Sequence, residues 1–226
     1  MGRRRLAMAP AAIVFDLDGT LIDSRPDLTL AIQRMRAALG LSARSEVEVG
    51  GMIGEGARVL VERALAEAPA EISRPAALAD FLAHYAEVCT RATRAYEGIA
   101  AVLDSASARW PLALLTNKPI AMTDRLIDHL GWRELFRLVV GGDSLAWRKP
   151  DPRTLAHVAS ELGFETGEVV LVGDSRIDAE TAAAAGAGFI WVEWGYAGPE
   201  ERRRLAGGNS ARTPAELASL LAALPQ

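Results

Sequence analysis

Five apolar runs, Ala12–Leu17, Leu112–Thr116, Leu138–Gly141, Val169–Gly173 and Phe189–Val192, stand out from the turn and polar residues that bound them. Their near-continuous hydrophobicity suits strands covered on both faces, as in a parallel sheet. Between them Ile120–Leu130, Thr154–Leu162 and Asp178–Ala185 carry helical patterns. Strand alternating with helix predicts an α/β fold, a doubly wound parallel sheet with a Rossmann-like core. In such sheets ligands bind outside the carboxyl ends of the strands, near a switch in strand order.

One interval breaks the alternation. From Ser24 to Thr93 there is no convincing strand in about 70 residues, and Asp27–Leu39, Ala57–Ala68 and Pro75–Cys89 place apolar residues at three- and four-residue steps. That is too long for one crossover helix. The pattern predicts a small all-helical cap over 24–93, inserted into a catalytic core made of 1–23 and 94–226. Near the end, Glu200–Arg204 reads as a solvated helix face and Thr213-Pro214-Ala215-Glu216 as the N-cap and first turn of a terminal helix.

Composition narrows the partners. A chain of 226 residues can bury one good core and a smaller inserted unit. Its net charge of -4 gives no electrostatic reason to expect nucleic acid or an anionic membrane. No apolar run reaches the roughly 18 residues of a membrane span, and no apolar region follows Arg3, Arg4 and Arg5 in the Met1–Pro10 extension to make a secretory signal. Cys89 is the one cysteine, which excludes an intrachain disulfide and fits a reducing compartment. A cytoplasmic protein, monomer or homodimer, is the expectation. Among 25 basic residues only Lys118 and Lys149 are lysines, and a compact ammonium is not equivalent to a planar guanidinium.

The chemistry concentrates at strand ends. Asp16 and Asp18, in Phe15-Asp16-Leu17-Asp18-Gly19-Thr20, stand two residues apart where the first strand gives way to a turn. If the turn makes them converge, one pKa must rise unless a cation enters, and Mg²⁺ with its preference for hard oxygens would relieve the cost. The pair is either a metal-assisted catalytic unit or an expensive turn. Thr116-Asn117-Lys118 ends the second strand with a hydroxyl and an amide suited to phosphate oxygens. Lys149 precedes a proline in Arg148-Lys149-Pro150-Asp151-Pro152. Asp174 and Asp178, in Gly173-Asp174-Ser175-Arg176-Ile177-Asp178, are four residues apart, and with the second on a first helical turn both can face one metal.

In that order these motifs resemble the haloacid dehalogenase superfamily of aspartate-nucleophile phosphatases, and most nearly its phosphoglycolate phosphatase family. Asp23-Ser24-Arg25-Pro26-Asp27-Leu28, Gly141-Gly142-Asp143-Ser144-Leu145 and Gly54-x-Gly56 ahead of Val59-Leu60-Val61-Glu62-Arg63-Ala64-Leu65 add to the likeness. Ile177 departs from the usual Asn, and Glu97 from a frequent Pro. The resemblance implies hydrolysis of a small phosphorylated metabolite through an aspartyl-phosphate on Asp16, with Asp18 as acid and base. It implies Mg²⁺ held by Asp16, the Asp18 carbonyl and Asp174, with Asp178 acting through water or Lys149. Thr116, Asn117 and Lys149 would bind the phosphoryl group beside Gly19 and Thr20. Lys118, Arg25 and Arg58 are the candidate cations for a substrate carboxylate, as in 2-phosphoglycolate.

Other branches of the superfamily (nucleotidase, sugar-phosphate phosphatase, pyrophosphatase, mutase) share this spacing, although Thr20 stands where mutases usually have Val. A phosphoryl-accepting receiver domain also sets acidic residues, a Thr and a Lys around an Asp, but needs no 70-residue helical insertion. His84, His129 and His157 lack metal-ligand spacing; with Cys89, Trp191 and Trp194 they are expected to serve packing or surface.

Overall fold

The computed structural model describes residues 9–205 and 208–225; Met1–Met8 of the arginine-bearing extension lie outside them. Strand β1 (Ala12–Phe15) leads to a short strand β2 (Ile22–Asp23), helices α1 (Arg25–Ala38), α2 (Glu46–Gly50), α3 (Ala57–Ala64) and α4 (Arg74–Val88), and strand β3 (Arg94–Ala95). There follow α5 (Ile99–Ser107), β4 (Leu112–Leu115), α6 (Ile120–His129), β5 (Phe136–Val140), α7 (Arg153–Leu162) and β6 (Val169–Gly173). The chain closes with α8 (Arg176–Ala185), β7 (Gly188–Val192), α9 (Pro199–Leu205), β8 (Ser210–Ala211) and α10 (Pro214–Ala222).

Six strands form one parallel sheet in the order β5-β4-β1-β6-β7-β8. The chain builds outward from β1 on one side and then returns to its other side, so the order reverses between β1 and β6. The alternation of a strand's side chains decides the layers. Ile13, Phe15, Leu112, Leu114, Val170 and Val172 point to one face and pack with α5, α6 and α10, whereas Ala12, Val14, Ala113, Leu115, Val169 and Leu171 point to the other and pack with α7 and α8. Burial on both faces is why these strands read as unbroken apolar runs.

The inserted helices carry a core of their own. Leu28, Ile32 and Met35 of α1 meet Leu60 and Val61 of α3 and Phe81 and Tyr85 of α4. The segment is pinned at both ends. β2 and β3 pair antiparallel, Ile22 opposite Ala95 and Asp23 opposite Arg94, and the buried Asp27 accepts from the Ala92 and Thr93 amides at 2.9 and 2.7 Å and from the Thr93 hydroxyl at 2.7 Å. A two-residue ladder has too little pattern to be read from sequence. The same holds for β8, and α2 and α5 were also absent from the sequence expectation.

Helix α3 ends at Ala64, not Ala68 as its spacing predicts. The guanidinium of the buried Arg36 donates to the Ala64 carbonyl, the acceptor that a further turn would need, and Ala68 N–H turns instead to Leu65 O at 3.0 Å. A residue on α1 thus takes a carbonyl that α3 leaves open at its end. Leu171, fully buried in the central strand β6, gives the first test of this architecture. Leu171→Ala should lower the unfolding free energy by about 2–5 kcal/mol, read from urea denaturation, and a loss below about 1 kcal/mol would contradict its central placement.

Candidate active site

Asp16 follows β1 and its amide continues the ladder, donating to Val172 O at 2.9 Å. Asp174 follows the neighbouring β6, and Asp178 sits on the first turn of α8, where Ser175 caps the helix and donates to Asp178 Oδ2 at 2.6 Å. The reversal of strand order therefore sets these carboxylates side by side. One oxygen from each of Asp16, Asp174 and Asp178 lies within 4.8 Å of the others, and all three residues are buried. Lys149, on the loop between β5 and α7, extends its ammonium into the group and donates to Asp16 Oδ1 at 2.7 Å and Asp178 Oδ1 at 2.6 Å.

Three carboxylates against one ammonium leave the cluster short of positive charge. Burial pushes Asp16 from an ordinary 3.8 up to about 7, with Lys149 opposing and Asp178 and Asp18 adding. Burial, then Asp16 and Asp178, holds Asp174 well above its usual range. Burial works against the Lys149 charge, but Asp16 and Asp178 outweigh it and its pKa is raised. Asp178 has both oxygens committed, to Lys149 and to Ser175. Asp174 Oδ2 accepts from the Tyr196 amide at 2.7 Å, and Thr20 Oγ1 stands 3.5 Å from Oδ1. Asp16 Oδ2 accepts no hydrogen bond among the described residues. The donors are hard carboxylate oxygens with spare acceptor capacity, a set that fits Mg²⁺.

Gly19 belongs to this packing. Its φ is 84°, and a Cβ there would lie 2.2 Å from Asp174 Oδ2. Any side chain at position 19 would displace the carboxylate, which is the physical content of the glycine in the Asp-x-Asp-Gly run.

Asp18 goes elsewhere. Its carboxylate does not join the acidic cluster; it accepts from Lys118 Nζ at 2.8 and 2.9 Å and from Ser24 Oγ at 2.5 Å. The convergence of Asp16 and Asp18 is thus a division, each carboxylate being bound to one of the chain's two lysines. Lys118 is buried, and its ammonium lies 4.8 Å from the ring centre of Tyr85. Ser24 is held in turn by Tyr196, whose hydroxyl accepts from the Ser24 amide at 2.8 Å.

A narrow cleft opens between the sheet and the inserted helices. Asp16, Asp18, Thr116, Asn117 and Lys118 line one side, and Leu28, Ile53, Leu60, Phe81 and Tyr85 the other. A family model for haloacid dehalogenase-like hydrolases matches residues 10–186. The chain belongs to the haloacid dehalogenase-like hydrolases. It is 44% identical over 190 residues to a phosphoglycolate phosphatase of Cereibacter sphaeroides, covering 81% of this chain and 85% of that one. With the phosphoglycolate phosphatase of Rhodospirillum rubrum it shares 40% identity over 195 residues, 83% of this chain and 81% of the other. A crystal structure described as a predicted phosphoglycolate phosphatase from Haemophilus somnus superposes with a TM-score of 0.87 at 28% identity, covering 95% of this chain and 99% of that one. The hydrolase is a phosphoric monoester hydrolase of the phosphoglycolate phosphatase-like family, which removes the receiver-domain alternative.

Within the hydrolase, the expected substrate-contacting groups are unevenly placed. Thr116 is buried at the end of β4, and its Oγ1 accepts from the Lys118 amide at 3.2 Å. The Asn117 side chain spans two units, donating to Gly54 O at 3.0 Å and to Lys149 O at 2.9 Å. The structure does not bring Arg25 or Arg58 into the cleft. Arg25 is bound to Asp23 and stacked on Tyr196, 5.2 Å from its ring centre. On α3, Ala57 and Leu60 face the cleft, whereas Arg58, Val61 and Glu62 line a separate groove. A one-residue step on a helix is a rotation of about 100°, and Arg58 falls on the wrong side of it. Sequence reading missed Ser24, Tyr85 and Tyr196. Only the Phe81/Tyr85 pair, one helical turn apart, offered a signal.

The pH dependence of stability follows from the cluster. A carboxylate whose folded pKa is raised contributes stability that is lost as pH climbs from its unfolded value through its folded one, here from about 4 to about 7 for Asp16. Protons and a divalent cation compete for the same oxygens. Mg²⁺ should therefore raise Tm more at pH 8 than at pH 5 in a thermal-shift series, and equal shifts would count against a metal bound by these carboxylates.

Proposed function

We propose that this hydrolase is a Mg²⁺-dependent phosphatase that cleaves a small phosphomonoester through an aspartyl-phosphate, with 2-phosphoglycolate giving glycolate and phosphate. The observation that carries the reading is Asp16, a residue of the cleft wall: one oxygen is fixed by Lys149 and the other has no hydrogen-bond partner among the described residues. Asp16, Asp174 and the Asp18 carbonyl would hold the cation, with Asp178 acting through water or through Lys149. When bound, it would offset the carboxylate charge that Lys149 now opposes.

The unengaged Asp16 oxygen attacks phosphorus in line. The new O–P bond forms as the bond to the leaving oxygen breaks, and Asp18 delivers a proton to that oxygen. Water then attacks the phosphorus of the acyl phosphate while Asp18 takes up its proton, releasing phosphate and restoring Asp16. Thr116, the Asn117 backbone N–H and Lys149 stabilise the phosphoryl oxygens, aided by the turn at Gly19 and Thr20; positioning and charge are most of what phosphoryl transfer needs. Asp18 accepts from Lys118 through both oxygens, so a substrate carboxylate that takes over the Lys118 ammonium also frees the acid for its task. The reaction would run in the cytoplasm, a setting in keeping with the lone Cys89, which is buried and free.

Phosphate release from 2-phosphoglycolate, sugar phosphates, nucleotides and pyrophosphate, with and without Mg²⁺, tests the substrate. We expect kcat/KM for 2-phosphoglycolate to exceed the others at least tenfold and to vanish with chelator; Mg²⁺-dependent activity without preference would discard this substrate and keep the chemistry. Asp16→Asn should lose at least about a thousandfold in kcat, the scale on which removal of a nucleophile acts. Undiminished turnover would sink the nucleophile assignment.

A further inference from the structure

We infer that Tyr85, on helix α4 of the inserted segment, is a specificity-determining residue whose hydroxyl, together with the Lys118 ammonium, takes the carboxylate of the leaving group. The inference rests on the phosphatase reading above and names the substrate class at that site: phosphomonoesters of short alcohols with a carboxylate on the carbon next to the reacting oxygen.

Four observations carry it. Tyr85 lines the cleft that Asp16 and Asp18 also line. Its hydroxyl oxygen is buried and has no hydrogen-bond partner among the described residues. A buried hydroxyl without a partner is costly, and one carried by a residue that lines the cleft is best satisfied by what the cleft binds. Lys118, whose ammonium rests over the Tyr85 ring, is the one cationic side chain on the cleft wall among the described residues. Burial, then the charge of Asp18, pushes the Tyr85 phenol well above its ordinary value, so the hydroxyl keeps its proton and donates.

The rest of the wall limits the size and polarity of the guest. Phe81 stacks on Tyr85 with ring centres 5.8 Å apart, and Leu28 and Leu60 continue an apolar surface. Sugar or nucleoside hydroxyls against that surface would lose water without gaining partners. A carboxylate one carbon from the leaving oxygen instead meets one cation and one hydroxyl donor, a match of charge and of hydrogen bonds.

The test compares 2-phosphoglycolate with ethyl phosphate, in which a methyl replaces the carboxylate, on the wild type and on Tyr85→Phe. This substitution removes only the unpartnered oxygen, so Tm should not fall. The ratio of kcat/KM for the two esters should drop about tenfold or more in the variant, the loss falling mainly on 2-phosphoglycolate. A preference in the wild type that survives unchanged in Tyr85→Phe overturns the role of Tyr85 while leaving the phosphatase reading intact. A wild type that hydrolyses both esters equally well overturns the carboxylate class itself, and this inference with it.

Discussion

The buried ammonium of Lys149, held between Asp16 and Asp178, is the contact on which the rest of the site depends. It joins three pieces of chain that are distant in sequence: the end of β1, the loop before α7 and the first turn of α8. Removing a charge from water is costly unless it is paired, and Lys149 is paired twice. Even so, the pairing is incomplete, because Asp174 adds a third carboxylate that Lys149 does not touch by hydrogen bond. Burial first, and then the neighbouring carboxylates, raise the pKa of Asp16 and of Asp174. The fold tolerates it because the sheet leaves no alternative: β1 and β6 are neighbours along four residue pairs, and their ends must lie together.

A second polar chain runs from the same sheet to the inserted helices. Lys118 holds Asp18, Ser24 shares Asp18, and the Tyr196 hydroxyl accepts from Ser24 at the point where the chain leaves the core. The Tyr196 amide meanwhile donates to Asp174. One residue after β7 thus touches both the acidic cluster and the junction that carries the cap helices. The Asn117 amide adds a third link, from β4 to Gly54 in the inserted segment. Packing within the cap is independent of the sheet for the most part, but its attachment is polar and concentrated at the cleft.

Much of the fold was legible in the chain because its central strands are buried on both faces, which writes them as apolar runs. The long helices were legible for the converse reason, a one-sided apolar stripe. Shorter pieces carried no such statement. β2 and β3 exist because the two ends of the insertion meet, and the carbonyl left open where α3 ends is taken by Arg36, on another helix. Among the candidate site residues, Asp16 and Asp174 could be named from strand ends, and Lys149 and Asp178 from the loop and the first helical turn beyond strands. Arg58 could not be placed correctly, since which side of α3 faces the cleft is a matter of how that helix lies on its neighbours. Tyr85 went unnamed because an aromatic residue in an apolar pattern looks like core, and Tyr196 because it stands in a loop without any periodic pattern.

The sequence by itself determined which residue types stand at the strand ends and that a helical segment interrupts the alternation. Period and spacing along one chain are enough for that. Only the tertiary structure decided that Asp16 and Asp18 part company, each to its own lysine, and that Lys118 spends its charge inside the cleft. Partner choice among buried charges depends on distances between segments about a hundred residues apart, and no local pattern encodes a distance of that kind.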